Sequence, residues 1–362
     1  MRLFFDCRYV RGHDGVSRYS RELVTALARI HPVTMLIHDE AQLELLPELP
    51  YEVIGAPTSA GEPWVARQVN RFEPDVVVST MQTMGSMGRK YGLVLTIHDL
   101  IYYANRTPPR EFAWPIRLLW RLYHLSYAPQ RLLLRGADAV ATISETTKDL
   151  MLRHRLVRPT TPVPLVSNAP DARFSRPARE TPPETPNLVY MGSFMPYKNV
   201  ETLAAAMNAL PGWTLHLCSR TSDETIARLK RLAPEGSIVA HGGVSDDEYL
   251  ELLEGATALV TASRNEGFGL PVIEAMAAGT PVLCSDLPIF REVGADAAAY
   301  FDVDSPTELA ARALALAEPA EWARRSKAGV ARAAEYSWDV SARALLDACE
   351  EVVARRAERG RG

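Results

Sequence analysis

Up to about residue 145, short apolar runs alternate with segments of helical spacing. The runs are Arg2 to Phe5, Val33 to Ile37, Val76 to Ser79, Leu93 to Ile97 and Ala139 to Ile143. Runs of this length predict strands, and helical segments between them predict crossovers, so the pattern predicts a parallel, doubly wound sheet. The same alternation restarts with Leu188 to Met191, Thr214 to Cys218, Ser237 to Ala240, Ala258 to Thr261 and Pro281 to Cys284. A second α/β domain is therefore expected.

Between Pro159 and Pro186 stand eight prolines, a density that neither a helix nor a central strand tolerates. The domain junction is placed there, giving an N-terminal domain over 1–170 and a second over 171–336. Residues 337–362 form a C-terminal helix with apolar spacing at Val340, Leu345, Leu346, Cys349, Val352 and Val353, able to cross back to the first domain, and a basic, glycine-ended tail that frays. Length agrees, because single cores stop growing at roughly 250 to 300 residues and this chain has 362. Ser245-Asp246-Asp247-Glu248 and Ser305-Pro306-Thr307-Glu308 both have the form of capping boxes, so their acids are read as structural.

Composition changes this picture little: 47% apolar and 23% charged residues describe an ordinary globular chain. Lys and Arg number 21 against 17 acids up to residue 175, and 19 against 27 after it, an imbalance too mild for a nucleic-acid binder. The cysteines Cys7, Cys218, Cys284 and Cys349 form no C-x-x-C pair, which argues against a disulfide framework or a zinc site. Asp6 interrupts the N-terminus before a signal-peptide run could form, and no stretch of about 18 uncharged apolar residues follows. A cytoplasmic location is expected, with contact at the inner face of the membrane left open. That option rests on Arg110 to Arg135, where Phe112, Trp114, Trp120, Tyr123 and Tyr127 interleave with Arg117, Arg121 and Arg131 as in an interfacial helix. A core-facing helix with a solvated basic side is the plainer reading.

The chemistry concentrates in a few turns. In Glu266-Gly267-Phe268-Gly269-Leu270-Pro271-Val272-Ile273-Glu274 two carboxylates flank a glycine turn that follows the strand Ala258 to Thr261. The glycines let a ligand approach the backbone, and Pro271 suits the first turn of a helix whose N-terminus attracts phosphate. Glu274, about one turn inside, can accept from a ribose diol, while Glu266 can grip sugar hydroxyls. Two incidental glutamates around a strand-turn-helix would read the same in isolation. Gly192-Ser193-Phe194-Met195-Pro196-Tyr197-Lys198-Asn199 ends the first strand of the second domain, and its lysine can neutralise a diphosphate. Gly12-His13-Asp14-Gly15 precedes a helix expected at Ser20 to Arg29, and His98-Asp99 ends the strand Leu93 to Ile97. A histidine there either touches the reacting sugar or bonds the backbone.

Taken together, Gly15-Val16-Ser17-Arg18-Tyr19, His98-Asp99-Leu100, Gly192 through Asn199 and Glu266 through Glu274 resemble glycosyltransferase family four, the retaining GT-B group, in order and over nearly the whole chain. Ser167 to Asp171 and Tyr336 to Asp339 resemble it as well. The resemblance implies two Rossmann-like domains facing across a cleft, a nucleotide diphosphate sugar as donor and no cofactor or metal. It implies His98, Lys198 and Glu266 as catalytic residues. Gly15, Ser193, Lys198, Val244, Glu266, Gly267, Phe268, Gly269, Leu270 and Glu274 would bind the donor. The acceptor is a hydroxyl of a glycan, a lipid-linked sugar or a small molecule. Ser193 departs from the family, which often has arginine there, and Tyr197 stands where a basic residue often precedes the lysine, so phosphate neutralisation rests more on Lys198.

On this reading the phosphate leaves as positive charge builds at the anomeric carbon, stabilised by Lys198 and helix amides. No evident carboxylate corresponds to the nucleophile of retaining glycosidases, so attack on the leaving-group face is expected. Asp302-Val303-Asp304 spells the D-x-D of metal-dependent transferases but is read as a helix entry. Rival readings are a nucleotide-sugar epimerase and a non-catalytic nucleotide-sugar binder. A nicotinamide dehydrogenase is disfavoured because no G-x-G-x-x-G follows the first strand of either half.

Overall fold

The computed structural model describes residues 1–12, 14–108 and 113–359. His13 of the first glycine loop, Arg110 and Phe112 of the aromatic and basic stretch, and Arg361 in the tail lie outside the described residues. The chain divides into two units, Met1–Asn168 with Ser337–Gly362, and Ala169–Tyr336.

Unit 1 holds strands β1 (Leu3–Asp6), β2 (Val33–Ile37), β3 (Tyr51–Val53), β4 (Val76–Ser79), β5 (Gly92–Ile97) and β6 (Ala139–Thr142), in the order β3-β2-β1-β4-β5-β6. Unit 2 holds β7 (Asn187–Tyr190), β8 (Thr214–Leu217), β9 (Ile238–Ala240), β10 (Ala258–Thr261), β11 (Val282–Ser285) and β12 (Ala299–Phe301), in the order β12-β11-β10-β7-β8-β9. All of the pairings are parallel. Each unit therefore repeats one doubly wound topology, in which the order reverses beside the first strand. The reversal falls between β1 and β4 in unit 1 and between β7 and β10 in unit 2.

Helices cover both faces of such sheets, so the central strands β1, β4, β5, β10 and β11 bury every residue, and so does the edge strand β6, beside which the proline-rich segment runs. This is why their apolar runs are readable in the sequence. β3 and β12, each at one edge of its sheet, are not, and they are absent from the expected set. Tyr51 and Val53 of β3 are exposed, and β12 begins at the last residue of the run Ala297-Ala298-Ala299 and has no β-branched residue. The first helix also differs from expectation: it spans Gly15–Ile30, because the Asp14 carboxylate accepts from the amides of Val16 and Ser17 and starts it earlier. Gly15 is a helical residue and not part of a loop.

The Ser245 box is complete. At Ser305 only half forms: the Glu308 amide donates to Ser305 Oγ, but the Glu308 carboxylate accepts from the Asp302 amide. Part of the proline-rich segment runs as an extended chain beside β6, where the carbonyls of Pro162 and Pro164 accept from the amides of Val140 and Thr142.

The last helix, Trp338–Arg359, belongs to unit 1. Trp338 packs edge-on against Tyr19, and Ser341 Oγ donates to the Ser167 carbonyl at 2.7 Å. Gly92 of β5 lies under this helix: a Cβ there would stand 2.5 Å from Cγ1 of Val352 and 3.3 Å from the carbonyl oxygen of Asp75. Gly92→Ala should cost about 1–3 kcal/mol, which lowers the unfolding midpoint of a unit of this size by roughly 2–4 °C per kcal/mol. In a Val352→Ala background the same change should cost less, and equal losses in thermal unfolding of the two backgrounds would refute the clash.

Candidate functional site

The strand-order reversal in unit 2 decides where its loops go. From β7 the chain winds towards β8, and from β10 towards β11, so the loops leaving two adjacent strands diverge and open a crevice at their carboxyl ends. Gly192 to Asn199 is the first loop and Ser263 to Gly269 the second.

Each loop is held in shape by its own residues. After β7, the Gly192 amide donates to Ser219 Oγ at 3.1 Å, and the Tyr190 hydroxyl donates to the Ser193 carbonyl at 2.6 Å. A side chain on Gly192 would run into that hydroxyl, at 2.9 Å from its Cβ. Asn199 takes a left-handed conformation that ends the turn, and its Nδ2 donates to the Val303 carbonyl. After β10, the Ser263 carbonyl accepts from Ser285 Oγ at 2.6 Å. Gly269 has φ +94° and a Cβ would stand 2.8 Å from the Phe290 ring, so glycine is required on both counts. Phe268 is buried edge-on against Tyr336. The Arg264 amide donates to the Tyr197 carbonyl at 2.7 Å, which ties one loop to the other.

Lys198 and Glu266, 68 residues apart in sequence, meet in this crevice: Lys198 Nζ donates to Glu266 Oε1. The same oxygen accepts from Ser263 Oγ at 3.1 Å. Both side chains are mostly buried, 15% and 14% exposed, so each charge depends on the other. Helix Leu270–Ala277 begins directly after, with Gly269 at its N-cap, no capping side chain and Pro271 in its first turn. Its positive end is thus left to a ligand and to backbone groups. Glu274 is the fifth residue of this helix and is buried, and helical side chains lean towards the N-terminus. Ser193 is exposed at the tip of the first loop.

The remaining candidates are Val244 in unit 2 and Gly15 and His98 in unit 1. Val244 lines a separate hollow of about 410 Å³ with Asn187, His216, His241 and Glu248. A Cβ on Gly15 would meet nothing within 4 Å, but the nearby amides of Val16 and Ser17 already donate to Asp14. His98 Nε2 stands 2.7 Å from the Thr80 carbonyl oxygen, which can only accept, so Nε2 carries the proton and Nδ1 the lone pair. Tyr19 packs edge-on against the ring at 4.9 Å. Burial pushes the His98 pKa below its ordinary 6.5, against smaller opposing pulls from the Thr80 carbonyl and the Asp14 carboxylate.

The sequence reading missed Ser263 and Arg264. Their signal was a polar run, Ser263 to Asn265, between a mainly apolar strand and the glycine turn. Arg264 also pairs with Asp304 at 2.6 Å, and the Asp304 amide donates to Asp302, so the acids of the D-x-D hold a turn together and anchor Arg264.

A doubly wound unit that sets a lysine, a carboxylate and an uncapped helix N-terminus at its switch point defines a Rossmann-like domain suited to a nucleotide diphosphate. Residues 14–169 match the glycosyl transferase 4-like domain, residues 171–329 match the glycosyl transferases group 1 domain, and the chain belongs to the glycosyltransferases built from these two domains. It is 25% identical over 313 residues to the O-antigen chain mannosyltransferase RfbU of Salmonella typhimurium, covering 82% of this chain and 85% of that protein. Identity reaches 32% over 160 residues with O-antigen chain mannosyltransferase B of Escherichia coli, of whose length the match spans 42%, as it does of this chain. The structure of Anabaena HepE in complex with UDP and glucose superposes with a TM-score of 0.73 at 16% identity, covering 97% of this chain and 100% of that one, which shows a shared fold.

Because the folded-state pKa of His98 lies below its unfolded value, protonation favours unfolding, and stability is lost as pH falls below about 6.5. His124 and His216 are shifted downward by burial too, so the whole chain should melt lower at pH 5 than at pH 7. The His98→Gln variant should show a shallower fall over that interval. A fall as steep as the parent's, in thermal melts across the pH series, would contradict the assigned protonation state.

Proposed function

We propose that this protein is a retaining mannosyltransferase that needs no divalent ion, uses GDP-mannose as donor and acts at the cytoplasmic face of the membrane on a hydroxyl of a glycan or lipid-linked acceptor. The observation that carries the reading is the Lys198–Glu266 pair at the switch point beside the start of helix Leu270–Ala277. The names of the O-antigen mannosyltransferase relatives support the sugar and the acceptor class.

An arriving diphosphate offers Lys198 a stronger counter-charge than one carboxylate oxygen. Lys198 exchanges Glu266 for phosphate, and Glu266 is then free to accept from hydroxyls of the sugar. Glu274 accepts from the ribose hydroxyls. As the bond between the anomeric carbon and the phosphate oxygen breaks, negative charge grows on the diphosphate, where Lys198 and the first amides of the helix stabilise it. The acceptor oxygen bonds the anomeric carbon on the face that the phosphate leaves, and a departing phosphate oxygen takes its proton. Configuration is thereby kept without a carboxylate nucleophile on the opposite face.

Nucleoside diphosphates should be screened by thermal shift and GDP-mannose turnover followed with a chelator present. GDP is expected to raise the midpoint, with about 2.7 kcal/mol of stabilisation at a hundredfold excess over its Kd. Turnover should survive chelation and yield the α-linked product. Lys198→Ala and Glu266→Ala should each lower turnover by roughly 100- to 1000-fold. Stabilisation by UDP alone would correct the donor, an inverted product would refute retention, and loss of turnover on chelation would refute metal independence.

A further inference from the structure

Helix Trp114–Tyr123 presents the wrong face to solvent for a helix of a soluble domain. Its inner side is aromatic and packed: Trp120 meets Tyr102 with ring centroids 5.1 Å apart, and buried His124, just past the helix end, meets Tyr103 at 5.0 Å. Its outer side carries Leu118, Leu119 and Leu122, with Trp114 at its start and Leu125 just beyond its end, all exposed. Trp114 is 76% and Leu119 68% exposed. Residues three and four apart share a helix face, so Leu118, Leu122 and Leu125 make one row with Leu119 next to it. A globular domain turns such a stripe inward, and a contiguous exposed one marks an interaction surface. The following helix, Ala128–Leu134, adds Leu132, which is 66% exposed.

Charge identifies what covers it. Residues 113–135 contain Arg117, Arg121, Arg131 and Arg135 and no aspartate or glutamate. Arg117 and Arg121, four apart, form the row beside Leu118 and Leu122, and long arginine stems can lie along apolar surface while the guanidinium reaches outward. A second copy of this chain on the same face would set arginine against arginine. An anionic lipid surface supplies both complements, acyl chains for the leucines and phosphates for the guanidinium groups. Ten residues span about 15 Å, half the roughly 30 Å of a bilayer core, so the helix can lie in the surface but not cross it. Among the described residues no helix is long and apolar enough to cross a membrane.

We propose that the face formed by Leu118, Leu119, Leu122 and Leu125 inserts into the headgroup region of an anionic bilayer, with Arg117 and Arg121 on its phosphates. The proposal deepens the membrane-side location given above and rests on it, but its test uses neither donor nor acceptor, so each can fail separately.

Full-length protein should be sedimented with phosphatidylcholine vesicles containing one quarter phosphatidylglycerol. Binding is expected to the mixed vesicles, to weaken with added salt, and to be about tenfold or more weaker on pure phosphatidylcholine. Replacing Leu118, Leu119 and Leu122 together by glutamine should reduce binding about tenfold or more while the thermal midpoint and nucleotide-induced stabilisation match the parent's, since these side chains face outward. Arg117→Gln with Arg121→Gln should remove the preference for anionic vesicles. Absence of binding by the parent, binding unchanged in the leucine variant, or a vesicle-free dimer that the leucine variant dissolves would each overturn the assignment.

Discussion

The ion pair of Lys198 with Glu266 spans the gap where two adjacent parallel strands send their loops in opposite directions. Without a link there, the β7 and β10 loops would share the bond between the Arg264 amide and the Tyr197 carbonyl and a long one from the Arg264 guanidinium to Asn199 Oδ1, and two charges would lie mostly buried and unmatched. Burying a charge is tolerable only with a partner, so the crevice holds its lysine by lending it a carboxylate. Ligand recognition can then proceed by exchange: an anion displaces the glutamate, and a site occupied by protein groups becomes one occupied by substrate.

The two units repeat one winding but equip it differently. In unit 1 the helix after β1 is capped by Asp14, whose carboxylate takes the amides that an anion would need. In unit 2 the helix after β10 starts at a glycine with no capping side chain, next to a lysine. Identical topology therefore creates a crevice at each reversal, and the residues at the helix start decide how much positive charge each crevice offers. The buried guanidinium of Arg8 makes the same point, since Asp6, Glu62 and the Gly55 carbonyl together accept from it and two carboxylates match its charge.

Much of this was legible along the chain. Buried central strands appear as apolar runs because both faces are covered, and the turn at Gly269 appears as glycine because only glycine fits beside Phe290 at that φ. What escaped were short strands and exceptions: β3 and β12, three residues each; the early start of the first helix, set by one aspartate; and the rerouted Glu308 carboxylate. The stretch around Trp114 read in both directions, because spacing shows that a helix has an apolar stripe but not what the stripe meets.

By itself the sequence determined the local terms: which segments are strands, where helices start, where the backbone must turn tightly, and which motifs carry charge. Each depends on neighbours within a few residues, so periodicity and residue type encode it. Tertiary structure alone decided that β7 lies beside β10, that Lys198 therefore reaches a glutamate 68 residues away, and that the leucines of helix Trp114–Tyr123 face outward. Those outcomes come from strand order and from competition between faces for one core, and no short window of sequence contains either.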